Sequence, residues 1–395
     1  MAISTPPIQR GASGSIATAR RITIFHLIFA TPCLYVIVRW LLPLSLPLCS
    51  KGGIAVLLLA ASQFHFWSRL SSGSVFAPEF PRPIVMLANW AFGAMMLLAL
   101  LQILIDLATL STMLIHRDTI GLPDGVRYAA AALAALLAAI GVAGAVRVPA
   151  VRDVEVAIPG LAPAFDGYRL LQLTDLHISR LFPARWARAV VDRADASDAD
   201  LIVITGDFID GSVAMRRADV APLADLRAPD GVVAIPGNHE YFFDYAAWMR
   251  HLGGLGIRML PNAHAVIKRG TDELVIAGVT DLSARSAGEA GPDLAAALDS
   301  APPGAAIVLL DHQPRNAPAA AARGVGLQLS GHTHGGLIVG LDRLFRAPNG
   351  GFVSGRYAVG AMTLYVSNGT GLWPGFALRL GRPPEITRIT LRRAA

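Results

Sequence analysis

The first 150 residues alternate long apolar runs with short polar or basic segments. A transmembrane helix needs about 20 mostly apolar residues, and four runs approach or exceed that length. We therefore predict an all-α region of four transmembrane helices, at Ile22–Leu44, Gly53–Trp67, Ile84–Leu107 and Val126–Val146. Three further runs follow the first one, so we interpret the first as a retained helix and not as a cleaved signal peptide.

Beyond residue 150 the apolar runs become short and alternate with helical patterns. Continuous runs of this kind are typical of strands buried on both faces, and they predict an α/β fold of two packed sheets with helices on the outer faces. We therefore divide the chain into a membrane region, 1–150, and a globular domain, 151–395. The predicted strands are Val154–Pro159, Tyr168–Thr174, Leu201–Thr205, Val232–Pro236, Leu274–Val279, Ile307–Leu310, Leu327–Ser330, Met362–Ser367 and Ile386–Leu391, and Ala184–Ala196 is a predicted helix.

Composition and charge support this division. The chain is 53% hydrophobic and 16% charged, which is too apolar for an ordinary soluble protein. Residues 1–150 carry ten Lys or Arg against four Asp or Glu, whereas residues 151–395 carry 24 of each, so the net charge of +6 lies entirely beside the apolar runs. Basic residues there anchor membrane helices, and we expect no nucleic-acid partner. Cys33 and Cys49 both lie in the membrane region, which excludes a cysteine-based zinc site from the globular domain.

The basic residues also predict an orientation, because short loops rich in Lys and Arg stay in the cytoplasm. A cytoplasmic N-terminus places seven basic residues inside and three outside, and with four helices the globular domain is then cytoplasmic as well. The inside residues are Arg10, Arg20, Arg21, Arg69, Arg82, Arg147 and Arg152, and the outside residues are Lys51, Arg117 and Arg127. Asp106, the one acidic residue in a predicted helix, has no obvious partner, and we interpret it as an interfacial residue.

Five polar motifs follow the strand-like runs, and they hold five of the ten histidines. Ligands bind at the carboxyl ends of strands in open α/β sheets, so we expect these motifs to meet. Imidazole, carboxylate and amide ligands together suit Zn, Mn or Fe better than Ca or Mg. The sequence therefore predicts a site for two adjacent metal ions. The motifs are Asp175-Leu176-His177, Gly206-Asp207, Gly237-Asn238-His239-Glu240, Asp311-His312 and Gly331-His332-Thr333-His334.

This ordered set resembles the calcineurin-like metallophosphoesterase superfamily over roughly residues 165 to 391. The segments Gly331–Gly336, Leu364–Gly369 and Pro384–Ile386 resemble the bacterial membrane-associated phosphoesterases. The resemblance implies a four-layer αββα sandwich after the membrane region, with two divalent ions, Mn, Fe or Zn, as cofactors. Leu337 stands where the family usually has glutamine, a departure that leaves the ligand motifs intact.

The resemblance also implies a role for each residue of the motifs. Three residues would hold one metal ion, three would hold the other, and Asp207 would bridge them. His239 would face the phosphate as a general acid or a transition-state stabiliser, Glu240 would orient His239, and a metal-bridged hydroxide would attack phosphorus. The ligands of the first ion would be Asp175, His177 and His334, and those of the second would be Asn238, His312 and His332.

The expected function is a membrane-anchored dinuclear-metal phosphohydrolase of the bacterial inner membrane, with phosphodiesters favoured over monoesters. The bilayer location favours a lipid-linked phosphoester as substrate. Two alternatives stay open: a transporter with a regulatory phosphoesterase domain, and a scaffold that binds phosphate without hydrolysing it. Arg180 is interpreted as either a phosphate contact or a helix cover. For Arg379 a surface role is favoured over a contact with the substrate. The other five histidines, His26, His65, His116, His251 and His264, are assigned no metal role.

Overall fold

The computed structural model describes residues 29–119 and 121–394. The chain forms two compact units. One contains the described residues up to Val75 together with Leu87–Ala138, and the other contains Phe76–Met86 together with the chain from Ala139 onward. The second unit holds every predicted site residue, and it includes the segment Phe76–Met86, whose last five residues are the start of the helix Arg82–His116.

The N-terminal region is helical, as its apolar composition predicts. Two of its helices, α4 and α5, are long and apolar enough to cross a membrane, and α2 and α3 meet at a 55° bend and would count as one more span if they act together. Four transmembrane helices are therefore not shown, and residues 22–28 of the predicted first helix lie outside the described residues. The helices are α1 (Phe29–Leu41), α2 (Leu48–Ser62), α3 (Phe64–Ser72), α4 (Arg82–His116) and α5 (Asp124–Ala145).

Asp106 on α4 has three side-chain partners, which corrects the prediction that it has none. Its carboxylate accepts hydrogen bonds from Tyr35 Oη at 2.6 Å, Arg39 Nε at 2.8 Å and Gln102 Nε2 at 2.8 Å. Tyr35 and Arg39 lie four residues apart on α1 and therefore share one helix face. A charge in an apolar helix is stabilised by such partners. Tyr35 and Arg39 lie about 70 residues from Asp106 along the chain, so the local sequence does not indicate them.

The globular unit contains two six-stranded mixed sheets. The first has the strand order β1-β12-β2-β3-β4-β5, and the second has the order β10-β11-β9-β8-β7-β6. The predicted α/β sandwich is thus confirmed. The strands are β1 (Val151–Ile158), β2 (Arg169–Leu173), β3 (Leu201–Thr205), β4 (Val232–Ile235), β5 (Arg258–Met259), β6 (Ala263–Arg269), β7 (Asp272–Gly278), β8 (Ala306–Leu310), β9 (Leu327–Ser330), β10 (Gly355–Val359), β11 (Met362–Val366) and β12 (Ile386–Arg393).

The strands that the sequence did not predict are β5, β6 and β10, and all three lie at sheet edges. An edge strand is only partly covered, so it needs no continuous apolar run. In β6, for example, Lys268 is exposed and only Ala265 is fully buried. By contrast, every residue of β3 is buried, and β3 pairs in parallel with both β2 and β4. The apolar-run criterion therefore finds every inner strand and the edge strand β1, and it misses the other three edge strands.

The main core lies between the two sheets. Side chains of the first sheet, such as Leu170 and Val203, pack in one buried cluster with side chains of the second, such as Val308 and Leu329. Helices cover the outer faces: α6 buries Trp186 and its apolar neighbours. The shorter helices are α6 (Ala184–Asp195), α7 (Val213–Val220), α8 (Asn238–Phe242), α9 (Tyr245–Gly254), α10 (Leu294–Ala297) and α11 (Ala317–Ala321).

Candidate metal centre

The five motifs stand at the carboxyl ends of five strands. Strands β2, β3 and β4 run parallel in the first sheet, and β8 and β9 run parallel in the second. Their ends therefore meet at one edge of the sandwich, the position where α/β sheets bind ligands. Asp175 and His177 follow β2, Asp207 and Asp210 follow β3, Asn238, His239 and Glu240 follow β4, Asp311 and His312 follow β8, and His332 and His334 follow β9.

The backbone at these strand ends is strained. Five predicted ligands have the positive φ angles that non-glycine residues rarely adopt, a conformation that costs of order 1–3 kcal/mol per residue. Such strain persists only where the surrounding structure enforces it, and it concentrates at functional sites. The five are Asp175 (51°), His177 (45°), Asp207 (55°), His332 (68°) and His334 (49°).

The first ligand cluster consists of Asp175, His177 and His334, whose ligand atoms all lie within 4.8 Å of one another. His334 Nε2 is 3.7 Å from Asp175 Oδ1. Among the described residues, His177 Nε2 and His334 Nδ1 are buried without a hydrogen-bond partner. Buried polar atoms are nearly always paired, so these two unpaired nitrogens fit the role of metal ligands.

The second cluster consists of Asp207, His312 and His332, and it also spans less than 4.8 Å. Asn238 Oδ1 joins it, at 3.0 Å from His312 Nε2 and 2.9 Å from His332 Nδ1. His312 Nδ1 lies 2.8 Å from the Thr205 carbonyl oxygen, an arrangement that fixes the ring and turns Nε2 toward the site.

Asp207 connects the two clusters. Its Oδ2 atom is 3.3 Å from His312 Nε2 in the second cluster and 3.7 Å from His177 Nε2 in the first. Burial opposes ionisation of this carboxyl, but the neighbouring imidazoles, His312 above all, hold its pKa well below the usual range. A charged carboxylate that lies beside ligands of both clusters is suited to hold two cations at once.

The imidazoles of His332 and His334 are neutral at physiological pH, the form that binds metal. Burial and the adjacent His312 lower the pKa of His332 to about 4, and burial and His177 lower that of His334 as well. His312 differs: burial opposes its protonation, but Asp207 outweighs burial and raises the pKa well above the ordinary value. A cation bound there would replace that proton, as metal binding at histidine sites generally does.

His239 is held by Asp210, a residue that the sequence motifs did not single out. His239 Nδ1 lies 2.5 Å from Asp210 Oδ1, and the other oxygen of the same carboxylate is 3.1 Å from His177 Nδ1. Burial opposes protonation of His239, but Asp207 and Asp210 together raise its pKa to about 9. The two carboxylates thus favour the protonated ring, and its Nε2 atom lies 4.0 Å from Asp207 Oδ2.

Glu240 contacts backbone and not the His239 ring. It accepts hydrogen bonds from the amides of Asp207 at 3.1 Å, Phe208 at 2.8 Å and Gly237 at 2.7 Å. The carboxylate thus joins the loops after β3 and β4, while the predicted task of orienting His239 belongs to Asp210. The signal for Asp210 was present in Gly206-Asp207-Phe208-Ile209-Asp210, where a second acid follows the first by three residues.

The structure gives partners to both arginines that the sequence singled out. Arg379 is 4% exposed and donates to the carbonyl oxygens of His334, Asn368 and Gly371 at 2.7–3.0 Å, so its interpretation as a surface residue is wrong. Arg180 pairs with Glu79 at 2.6 Å. Of the histidines assigned no metal role, His26 lies outside the described residues, and the other four belong to none of the described clusters.

Comparison with known proteins relates this geometry to one family. Residues 168–336 match the calcineurin-like phosphoesterase family. A transmembrane protein with metallophosphoesterase domain from Danio rerio is 34% identical over 66% of this chain and 62% of its own length. A metallophosphoesterase from Campylobacter jejuni, Cj0846, is 32% identical over 63% of this chain and 64% of its own. The metallophosphoesterase YkuE of Bacillus subtilis is 31% identical over 58% of this chain and 80% of its own. The chain thus spans less than two thirds of the first two relatives and most of the third.

Proposed function

Because the chain belongs to the calcineurin-like metallophosphoesterase family, we propose that it is a membrane-anchored, dinuclear-metal phosphodiesterase. One observation carries the proposal: His239, held by Asp210, faces Asp207 beside two clusters of metal-type ligands. Such an arrangement places a proton donor beside a site that can hold two cations, which suits direct hydrolysis of a phosphoester by water.

The donor set fits two divalent transition metal ions. In this proposal each cluster would hold one ion, and Asp207, which contacts both clusters, would serve both ions. Two divalent cations would supply Lewis-acid stabilisation of the phosphoryl oxygens and a nucleophile at neutral pH. The first ion would be held by Asp175, His177 and His334, and the second by Asn238, His312 and His332, with Mn, Fe or Zn suited to these nitrogen and oxygen ligands.

His239 would donate its proton to the leaving oxygen. Asp210 occupies Nδ1, so the remaining N–H group, at Nε2, is the one directed at the site. A raised pKa keeps the imidazolium populated at neutral pH, and a positioned acid of this kind contributes about 10²–10⁴-fold to the rate. Asp210 also contacts His177 and would therefore position both a metal ligand and the acid.

The charges around the site favour a diester over a monoester. A monoester is a dianion at neutral pH and needs more cationic side chains than a monoanionic diester. Among the described residues, the arginines near the motifs are already engaged: Arg379 with backbone carbonyls, and Arg180 and Arg216 with Glu79. The substrate charge would thus be balanced by the two metal ions and His239 alone.

The apolar helices support a location at a membrane. Helices α4 and α5 have the length and composition of membrane spans, and one relative is named a transmembrane protein. Arg82 is the first residue of α4 and Arg147 lies two residues beyond α5, so both ends adjoining the globular unit carry positive charge. Positive flanks remain cytoplasmic. We place the globular unit at the cytoplasmic face of the bacterial inner membrane, with a lipid-linked phosphoester as substrate.

The test uses full-length protein, stripped of metal and then supplied with Mn, Fe or Zn. We expect hydrolysis of bis-p-nitrophenyl phosphate to exceed that of p-nitrophenyl phosphate, and Asp207→Ala to abolish it. His239→Ala should lose more activity on methyl phenyl phosphate than on methyl p-nitrophenyl phosphate, because phenolate is the poorer leaving group and depends more on a proton donor. His116→Ala, an exposed histidine at the end of α4, is the control. Equal losses with both leaving groups would refute the role of His239, and no turnover with any metal would refute the enzyme.

A further inference from the structure

Two aromatic rings stand beside His239, a third packs on one of them, and one of the three comes from the segment between α3 and α4. Phe76 lies 5.4 Å from the His239 ring, centroid to centroid, in an edge-on arrangement. It stacks on Phe242 at 4.9 Å and contacts Trp373 at 5.7 Å. Phe242 itself lies 5.1 Å from His239. We refer to Phe76, Phe242 and Trp373 as the aromatic cluster.

The Phe76–Met86 segment is fixed to the globular unit by charge. Glu79 pairs with the fully buried Arg216 and, at 2.6 Å, with Arg180. Arg216 Nε in turn donates to the carbonyl oxygen of Asp210 at 2.8 Å. A chain of contacts therefore runs from Glu79 through Arg216 to the residue that holds His239, and it sets the position of Phe76 relative to the proposed acid.

The aromatic cluster is not ordinary core. Phe242 is 46% exposed, and Phe76 and Trp373 are half-buried. Packed cores bury such rings, whereas a contiguous apolar patch rimmed by polar groups is typical of a binding site. The aromatic cluster also contacts the ring of His239, which donates the proton in the proposed mechanism.

The position of the cluster defines which part of a substrate meets it. A general acid must lie within hydrogen-bond distance of the leaving oxygen, so the group attached to that oxygen contacts whatever surrounds the imidazole. In this protein the residues beside the His239 imidazole are the aromatic rings of Phe76 and Phe242. An apolar or aromatic leaving group would exclude water from the rings, while a small polar one would leave them wet.

We propose that the aromatic cluster is the leaving-group subsite, and that it selects phosphodiesters whose leaving alcohol carries an apolar or aromatic group. This inference rests on the proposed function and narrows its substrate class. It also assigns the segment between α3 and α4 a direct part in specificity, so the N-terminal region does more than anchor the domain. Phe76 is thus a specificity-determining residue, and Glu79 positions it.

The experiment compares methyl 2-naphthyl phosphate with methyl phenyl phosphate on the full-length protein in one detergent. The two leaving phenols have similar acidity, so the ratio of their kcat/KM values reports contact with the extra ring and not leaving-group chemistry. We expect the wild type to prefer the naphthyl ester by about tenfold, the discrimination typical of an added apolar group in a pocket. Phe76→Ala should reduce the ratio to near one, and Phe76→Leu should retain part of it.

Two further variants separate binding from folding. Phe345→Ala removes an exposed ring elsewhere in the globular unit and should leave the ratio unchanged. Glu79→Gln breaks the ion pairs that hold the segment and should lower the ratio with Phe76 intact. A wild-type ratio near one, or an equal loss on both esters in Phe76→Ala, would overturn the subsite while leaving the phosphodiesterase intact. No hydrolysis of either ester by metal-loaded wild type would instead overturn the proposed function.

Discussion

Replacing Asp210 by asparagine should impair both hydrolysis and metal binding, because one buried carboxylate contacts two histidines of the site. Its oxygens lie 3.1 Å from His177 Nδ1 and 2.5 Å from His239 Nδ1, and the side chain has no exposed surface. Asparagine keeps one oxygen acceptor and presents an amide nitrogen in place of the other. At most one of the two hydrogen bonds therefore survives the substitution.

The magnitude follows from the charge on the groups that Asp210 joins. A hydrogen bond to a charged group contributes about 1.5–3 kcal/mol, which corresponds to about ten- to 150-fold in a rate or equilibrium constant. Breaking the hydrogen bond to His239 would lower kcat. Breaking the one to His177 would weaken metal affinity, where such supporting residues are worth about 10–100-fold.

The same substitution should change the pH dependence. Burial opposes protonation of His239, but Asp207 and Asp210 raise its pKa to about 9. The imidazolium is the proposed acid and exists below that pKa, so activity falls as the pH rises through it. Removing the Asp210 charge lowers the pKa, and the alkaline limb of the kcat/KM profile should move to lower pH.

The assay is hydrolysis of methyl phenyl phosphate by the full-length protein across a pH series and a Mn²⁺ titration. Asp225→Asn is the matched control, because that carboxylate is 53% exposed and pairs with an exposed arginine. We expect a lower kcat/KM, a weaker apparent Mn²⁺ affinity and a shifted alkaline limb in Asp210→Asn alone. Wild-type kinetics in Asp210→Asn, with an unmoved limb, would refute the reasoning about Asp210.

Three other outcomes follow from the geometry. A Cβ at Gly237 would collide with the Asp207 carboxylate, so Gly237→Ala should lose most of its bound metal and its activity. Gly253→Ala is the control, because it has open space around it and should lose neither. Equal metal contents in the two variants would contradict this prediction. Arg379→Met leaves several buried carbonyls unpaired and should destabilise the protein by about 3 kcal/mol or more, seen as a lower Tm that exposed Arg217→Met does not share. Chelation should lower the Tm and Mn²⁺ should restore it, because Mn²⁺ at 100 times its Kd adds about 2.7 kcal/mol to the free energy of unfolding. A Tm independent of metal would count against a resident metal site.

The inner strands and the site motifs could be predicted from the sequence because both depend on local patterns. Strands such as β3 are buried on both faces and read as unbroken apolar runs, and the motif residues stand directly at their ends. The edge strands β5, β6 and β10 could not be predicted in this way, because partial exposure removes the run.

The contacts that the sequence did not predict are long-range. Asp106 pairs with residues about 70 positions away on another helix, and Glu79 pairs with Arg216 across more than a hundred residues. Phe76 stands in a stretch between two apolar helices, where nothing in the local sequence indicates contact with His239. The boundary predicted at residue 150 separates this segment from the domain whose site it adjoins. A fragment starting there would lack both Phe76 and Glu79.

The most direct test of the dinuclear phosphodiesterase is a metal titration of the stripped full-length protein, with bound Mn²⁺ per chain and diester hydrolysis measured on the same samples. We predict about two ions per chain, hydrolysis that follows the filling of both sites, and loss of both in Asp207→Ala. A folded protein that binds no divalent ion, or that hydrolyses the diester equally well without one, would contradict this function.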